Sequence, residues 1–438
     1  MILSILGTSL PTVPPATAME GLFPKYEPTQ HVSSNPNLYV SAENPLFKNY
    51  FAGPMVIEVI VTDPDIQRLD QAYGEPVVTV NGKRLRMAQG TDGNWYGYFA
   101  DRNQAIAAAN TAVLTGKGLN FGGFCNSDSS FSPKAGVDYS QTVGFTIARG
   151  GFNSMNDTNS GSKITPSNLP TCTSTQGTLT TNQMEHVVRE NKTLNTDTNG
   201  FAANTVYENV WPVIQLYDFG SQGIPTPVTI DYQKAGGDQM VNLIFDRIPS
   251  NLIRVYAPRP DFPPGSQVQG DLLDPQLNID PTSEDSWTWG ASVRNSSLYY
   301  MAFDRNGVPD ADGTAAMQNL LGNLTTFMFN HNGKVIENPA PQGVVVAKQQ
   351  SNGIQTLFAD NTGLMRTLSI TARSIPVTAL EIQPNVGIFG SYDTGGIADA
   401  AILDQAPRDK SFTVTYNDRT YSVVVKYHDA KLVMGYHP

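Results

Sequence analysis

The run from Met55 to Asp101 constrains the fold more than any other part of the chain. It contains "MVIEVIVTD" (55–63), "EPVVTVNGKRLRM" (75–87) and "NWYGYFAD" (94–101). Each is short, rich in β-branched or aromatic residues, and ended by turn formers, which is the signature of a strand. Asn81-Gly82 divides the second run. Asn-Gly is the strongest short-range hairpin signal, because a two-residue type I′ turn needs positive φ at both positions. Strands in succession with such tight turns form antiparallel sheet.

The signature recurs along the chain in "VWPVIQLYDF" (210–219), "PVTIDYQ" (227–233), "MVNLIFDRI" (240–248), "LIRVYAP" (252–258), "TTFMFNHNGKVIE" (325–337), "GVVVAKQ" (343–349) and "MRTLSITARSIPVTALEI" (365–382). It ends with "KSFTVTYNDRTYSVVVKYHD" (410–429), a hairpin expected to turn near Asn417-Asp418. Many short strands separated by turn residues predict an all-β protein of β-sandwich domains. One helix is expected, at "NQAIAAANTAVLTG" (103–116), capped by Asp101 or Asn103 and ended by Gly116. The stretch from about 125 to 204 is rich in Ser, Thr, Asn and Gly and reads as part of a loop-rich, partly helical insertion, about 103–204.

There is an internal echo. "VTDPDIQRLD" (61–70) is matched by "LLDPQLNID" (272–280): Asp63-Pro64 with Asp274-Pro275, Ile66 with Leu277, Leu69-Asp70 with Ile279-Asp280 after a one-residue gap. A repeated phrase of this kind suggests a repeated domain. The expected organisation is a signal peptide (1–18), an extended segment (19–50), a first sandwich (51–222), a second (223–430) and an irregular tail (431–438).

The N-terminal assignment rests on the apolar run Ile2 to Leu10 followed by Ala16-Thr17-Ala18, an A-x-A cleavage pattern; a buried N-terminal strand is the alternative. In an exported chain Cys125 and Cys172 most simply form one disulfide, closing a loop of about fifty residues worth roughly 3–4 kcal/mol; two free thiols are the alternative. Asn156, Asn191, Asn295 and Asn323 lie in N-x-S/T sequons and become glycosylation candidates.

Charged residues make up only 15% of the chain, its net charge is −11, and it has no Lys/Arg run. A nucleic-acid partner needs a basic footprint and is excluded. An acidic chain instead attracts cations. "FDRNGVPDADG" (303–313) places Asp304, Asn306, Asp310 and Asp312 on one glycine-containing loop, the oxygen-rich turn that Ca²⁺ favours, though without EF-hand spacing. The two echoed turns offer Asp63, Asp65 and Asp70, and Asp274, Asn278 and Asp280. The competing reading is that Asp, Asn and Gly here are turn formers that cap backbone amides.

Catalytic signatures are lacking in the sequence: G-x-S-x-G, H-E-x-x-H and Walker A do not occur, and the five histidines are scattered. The expectation is a non-enzyme. A hydrolase with carboxylates assembled by the fold is one rival. A secreted glycan-binding or adhesion module is the other, with Trp287 and Trp289 of "SWTW" (286–289) on one strand face as a stacking platform.

Residues 50–106 from "YFAGPMVIEVIVTDPDIQRLD" to "GYFADRNQAI", "VTIDYQKAGGDQMVNLIFDRIPSN" (228–251), "LLDPQLNIDPTSEDSWTW" (272–289) and the region 385–425 ending in "APRDKSFTVTYNDRTYSVVV" resemble surface-layer proteins of ammonia-oxidising archaea. The resemblance implies an exported structural protein of tandem immunoglobulin-like domains that tiles the cell surface as a paracrystalline sheet. It implies divalent cations, N-glycans, self-association, surface glycans or a membrane anchor as further partners, and no catalysis. Family members are usually much longer, so the chain corresponds to their N-terminal part or to a truncated member. The negative charge adds the expectation that small cations, ammonium among them, are enriched at such a surface.

Overall fold

The computed structural model describes residues 35–70, 75–109, 137–140, 144–147, 188, 192–195, 214–220, 223–257, 259–291, 297–300, 327–328, 335–339, 345–346, 375–390, 400–402, 407–416 and 419–426. The described residues are mostly β-strands in five sheets, with few helices, so the chain is all-β.

In the N-terminal half the strands are β1 (Leu38–Val40), β2 (Tyr50–Phe51), β3 (Ile57–Val61), β4 (Val78–Val80), β5 (Lys83–Leu85), β6 (Ala88–Gln89), β7 (Trp95–Asp101), β8 (Val137–Ser140), β9 (Gly144–Ile147), β10 (Ile214–Tyr217), β11 (Thr226–Tyr232) and β12 (Gln239–Phe245). One sheet runs β1-β3-β7-β10, with β6 on β7; the other runs β2-β12-β11-β4-β5-β9-β8. The local signals behave as their chemistry requires. Asn81 and Gly82 take φ of 49° and 76° in the β4–β5 turn. The helix α1 (Arg102–Ala109) starts where Asp101 Oδ1 accepts the Gln104 N–H at 2.9 Å. In β11 and β12 every second residue is buried, Val228, Ile230 and Tyr232 facing inward with Val241, Leu243 and Phe245.

These inward residues meet the first sheet through an aromatic cluster. Phe51 and Phe245 of one sheet pack with Phe99 of the other and with Phe219, with centroids 5.1–6.3 Å apart. Each such pair contributes roughly 0.5–1.5 kcal/mol beyond its burial. The division expected at 222/223 does not coincide with a change of sheet. β11, beyond it, pairs antiparallel with β4 at Ile230↔Val80 to Tyr232↔Val78. Within the stretch expected to be a loop-rich, partly helical insertion, β8 and β9 pair into this sheet at Arg84↔Gly144, and β11 then closes its other side on β4, non-local pairings that strand signals alone do not reveal.

The C-terminal half contains β13 (Arg254–Tyr256), β14 (Asp261–Phe262), β15 (Gln267–Val268), β16 (Asp271–Leu273), β17 (Ser286–Ala291), β18 (Ser297–Tyr300), β19 (Val335–Pro339), β20 (Val345–Val346), β21 (Ile375–Glu381), β22 (Ile388–Gly390), β23 (Ala400–Ile402), β24 (Ser411–Tyr416) and β25 (Arg419–Val425). Its sheets run β13-β16-β22-β21-β17-β18, β14-β25-β24-β19 and β15-β23-β20. The antiparallel register of β24 and β25 runs out to Tyr416↔Arg419; Asn417 and Asp418, the expected turn, lie outside the described residues.

Three pairings recur between the halves in the same sense. β1 pairs antiparallel with β3, as β13 does with β16. β2 pairs parallel with β12, as β14 does with β25. The hairpin β11–β12 corresponds to β24–β25. One buried apolar cluster runs through both halves, from Leu38 and Phe51 through Ile253 and Leu277 to Trp287, Phe389 and Tyr416.

Candidate functional site: a repeated acidic turn and the junction it makes

The two echoed phrases are the same turn. Pro cannot donate to a ladder, so each strand ends at an Asp-Pro pair. The aspartate side chain then bonds the backbone two residues on, as an Asx turn does. At the end of β3, Asp63 Oδ1 accepts from Asp65 N–H (3.0 Å) and Asp63 C=O from Ile66 N–H (3.0 Å). At the end of β16, Asp274 Oδ1 accepts from Gln276 N–H (2.9 Å) and Asp274 C=O from Leu277 N–H (3.2 Å). Two distant side chains clamp each turn. Tyr232 and Tyr416, the last residues of β11 and β24, donate to Oδ2 of Asp63 and Asp274, both at 2.6 Å. Trp95 and Trp287 donate Nε1–H to the carbonyls of Ile66 (3.2 Å) and Leu277 (2.8 Å).

The two copies differ in charge. Burial alone would push the Asp63 carboxyl up, but the Lys234 ammonium and the Tyr232 hydroxyl outweigh it and hold it below the usual range. Lys234 Nζ also reaches Asp65 Oδ2 at 3.2 Å, so a protein ammonium bridges both carboxylates. Among the described residues Asp274 has no such cation as a hydrogen-bond partner. Burial pushes it up to about 6, and the Tyr416 hydroxyl and Gln276 N–H offset this only in part. Burial pushes Asp271 up to about 6 as well.

The second turn also forms the junction between the halves. Val56 N–H donates to Ile279 C=O at 2.9 Å. Asn385 Nδ2 donates to the Tyr39 hydroxyl (3.2 Å) and Ser41 C=O (2.9 Å), and its Oδ1 accepts from Asn278 Nδ2 (2.9 Å). Phe47 packs with Leu273 and Ile388. Around this seam four carboxylates are buried and each receives protein donors. Glu58 accepts from the Tyr98 hydroxyl (2.9 Å). Asp280 accepts from the N–H and hydroxyl of Thr282 (2.9 and 2.6 Å). Asp285 accepts from the N–H groups of Ile279 and Asp280 (2.6 and 3.0 Å). Glu381 accepts from the N–H groups of Val386, Gly387 and Asp285 (2.9, 2.8 and 3.2 Å). Burial, then the nearby Asp285 charge, push Glu381 well up. The arrangement fastens loops; its acidic oxygens hold backbone in place.

Gly53 marks the closest approach. Its φ is +57°, and a Cβ there would collide with the Phe327 carbonyl oxygen. Gly53→Ala should destabilise the protein by about 2–3 kcal/mol, through left-handed backbone strain plus displacement of residue 327. A chemical-denaturation midpoint within error of the parent would refute this account of the approach.

The candidate metal ligands among the described residues have other partners or stand apart. Asp63 and Asp274 are engaged as above, Asp65 and Asp70 are exposed, and Asp70 pairs with Arg68 at 2.9 Å. Asn278 bonds Asn385, and Asp280 bonds Thr282. Among the described residues no three His, Cys, Asp or Glu side chains converge as a metal-holding group. Asp304, Asn306, Asp310 and Asp312, Cys125 and Cys172, and the sequon asparagines 156, 191, 295 and 323 lie outside the described residues. Trp287, offered as a sugar platform, has no exposed surface and its Nε1–H is engaged, so it cannot stack on a glycan in this fold. Tyr232, Tyr416, Trp95, Lys234 and Glu381 were not anticipated. The one available signal was the parallel between "TIDY" (229–232) and "TVTY" (413–416). No protein-family model matches the chain, and no curated protein matches it in sequence.

Proposed function

We propose that the chain is a structural protein of the cell surface, made of two immunoglobulin-like β-sandwich repeats, that assembles with copies of itself into a surface layer. The observation that carries this is the enclosed second turn: two like repeats are locked by a buried seam and a continuous core, which makes a stiff building unit. The immunoglobulin-like reading is supported by the first strand of each repeat being divided between sheets. β1 and β13 pair antiparallel in one sheet, while β2 and β14 pair parallel with the last strand of the other. The aromatic cluster between facing sheets supports the sandwich.

Export follows in this reading from the apolar first residues, and the acidic composition suits a surface that collects cations. Because Asp63 and Asp274 engage their oxygens within the protein, the calcium proposal rests on the loop carrying Asp304, Asn306, Asp310 and Asp312. Electron microscopy of the purified chain tests the reading. Ordered sheets are expected with Ca²⁺ and should disperse in chelator; monodisperse protein in both conditions would overturn it.

A further inference from the structure

The twin turns share their internal bonds but not their surroundings. In the second, Pro275, Gln276 and Leu277 are all buried, because the turn is seated on the first repeat. In the first, Pro64, Asp65, Arg68 and Asp70 are exposed, and Leu69 shows 41% of its surface. The first turn is fastened within the chain by Asn195 Nδ2 on Leu69 C=O (3.1 Å) and Lys234 on Asp65 (3.2 Å), yet its side chains face solvent where those of the second are covered, which points to a missing neighbour.

The first repeat receives the second turn through the β1 end and the segments after it, at Tyr39, Ser41, Phe47 and Val56. The same end exists on the second repeat. Tyr39 faces Ile60, three residues before Asp63, and Tyr256 faces Asp271, three residues before Asp274, so the two tyrosines hold one register position. Tyr39 and Tyr256 are both half-buried; Val40 is buried where Ala257 is half-buried, and Arg259 beyond it is exposed.

We propose that the exposed face of the Asp63–Asp70 turn docks on the β13 end of the second repeat of a neighbouring copy of this chain, repeating between molecules the junction already made within one. Charge supports the pairing. The turn face carries Asp65, Asp70 and Asp92 with Arg68 and Lys234, while the receiving end carries Arg259, Arg408, Lys410 and Lys426 with Asp261 and Asp409, so the first is net negative and the second net positive. The contact is heterologous, so it extends the assembly and does not close it. It rests on the repeat and gives the surface-layer reading one of its contacts.

Sedimentation velocity on the full chain over a concentration series tests this. Concentration-dependent growth, weakened by salt, is expected. Leu69→Arg/Asp70→Lys on the turn and Arg259→Glu/Lys410→Glu on the receiving end should each weaken association at least about tenfold. Both pairs are on the surface, so an unchanged thermal midpoint confirms folding. In a mixture of the two variants the reversed faces are again opposite in charge, so larger species than either variant forms alone should return, and a mixture no larger than either variant would overturn the docking. Carbodiimide coupling of isotopically light and heavy chains should join Asp70 to Lys410 or Lys426 between molecules. Variants that assemble like the parent overturn the docking but leave the surface-layer reading standing, as do crosslinks from Asp70 only to residues 1–32 of its own chain. A parent that stays monomeric with and without Ca²⁺ overturns both.

Discussion

Replacing Trp287 with alanine should lower stability by about 3–5 kcal/mol, the usual loss for a fully enclosed tryptophan. Trp287 has no exposed surface, and its Nε1–H holds the Leu277 carbonyl at 2.8 Å. Losing the side chain removes a large apolar volume and leaves a buried carbonyl without its donor. The damage should not stay local. Two residues on, Ile279 C=O accepts the Val56 N–H across the junction, so a slack turn loosens the seam. Trp287→Phe keeps most of the volume and removes only the donor; about 1–3 kcal/mol is expected. Hydrogen exchange should rise at 274–285 and also at 39–58 in Trp287→Ala. The matching Trp95→Ala change acts on the exposed turn and should leave exchange at the seam unchanged. A loss under about 1 kcal/mol for Trp287→Ala, or exchange confined to the second repeat, would sink the idea that this turn couples the halves.

The same residues mark what a single chain of letters discloses. Strand positions, the Asn81-Gly82 turn and the Asp101 cap were legible because each is written within a few neighbouring residues. The repeated Asp-Pro turn was legible too, because both copies keep the local phrase. Its clamps were not. Tyr232 lies 169 residues from Asp63 and Tyr416 lies 142 from Asp274, and nothing local distinguishes a tyrosine that bonds an aspartate from one that ends a strand. The division at 222/223 followed the loop-rich stretch, whereas the sheet continues across it through β11 and β4. Trp287 and Trp289 were read from alternation as one strand face, which holds for a core face as well as for a surface. Only the seam's geometry shows Trp287 to be inside.

Asp63→Asn and Asp274→Asn should have opposite effects at neutral pH, although each removes one charge from the same turn. Asp63 is held as a carboxylate by the Lys234 ammonium and the Tyr232 hydroxyl. Asparagine keeps the acceptor for Asp65 N–H but loses the ammonium, and about 1–3 kcal/mol should be lost. Asp274 is enclosed with no cation beside it among the described residues, and burial moves it from 3.8 to about 6. Such a shift means the folded state disfavours the charged form by about 3 kcal/mol at pH 7. Asp274→Asn removes that cost while its carbonyl oxygen can still accept from Gln276 N–H, so stability at pH 7 should hold or rise by about 1–2 kcal/mol. The pH profile follows the same logic. Asp101, Asp271 and Asp274 all move up to about 6, so between their ordinary range and pH 6 the folded chain binds protons that the unfolded chain does not. Stability should therefore increase as the pH falls from 7 to about 5, and decline only once Asp63, whose shift is downward, begins to protonate. Asp274→Asn should flatten the limb between about pH 5 and 7 by up to 1.4 kcal/mol per pH unit, and Asp63→Asn should leave that limb unchanged. Urea denaturation across this range decides it: a parent protein that loses stability from pH 7 to 5, or equal destabilisation by both asparagines at pH 7, would show that the two turns are not electrostatically distinct.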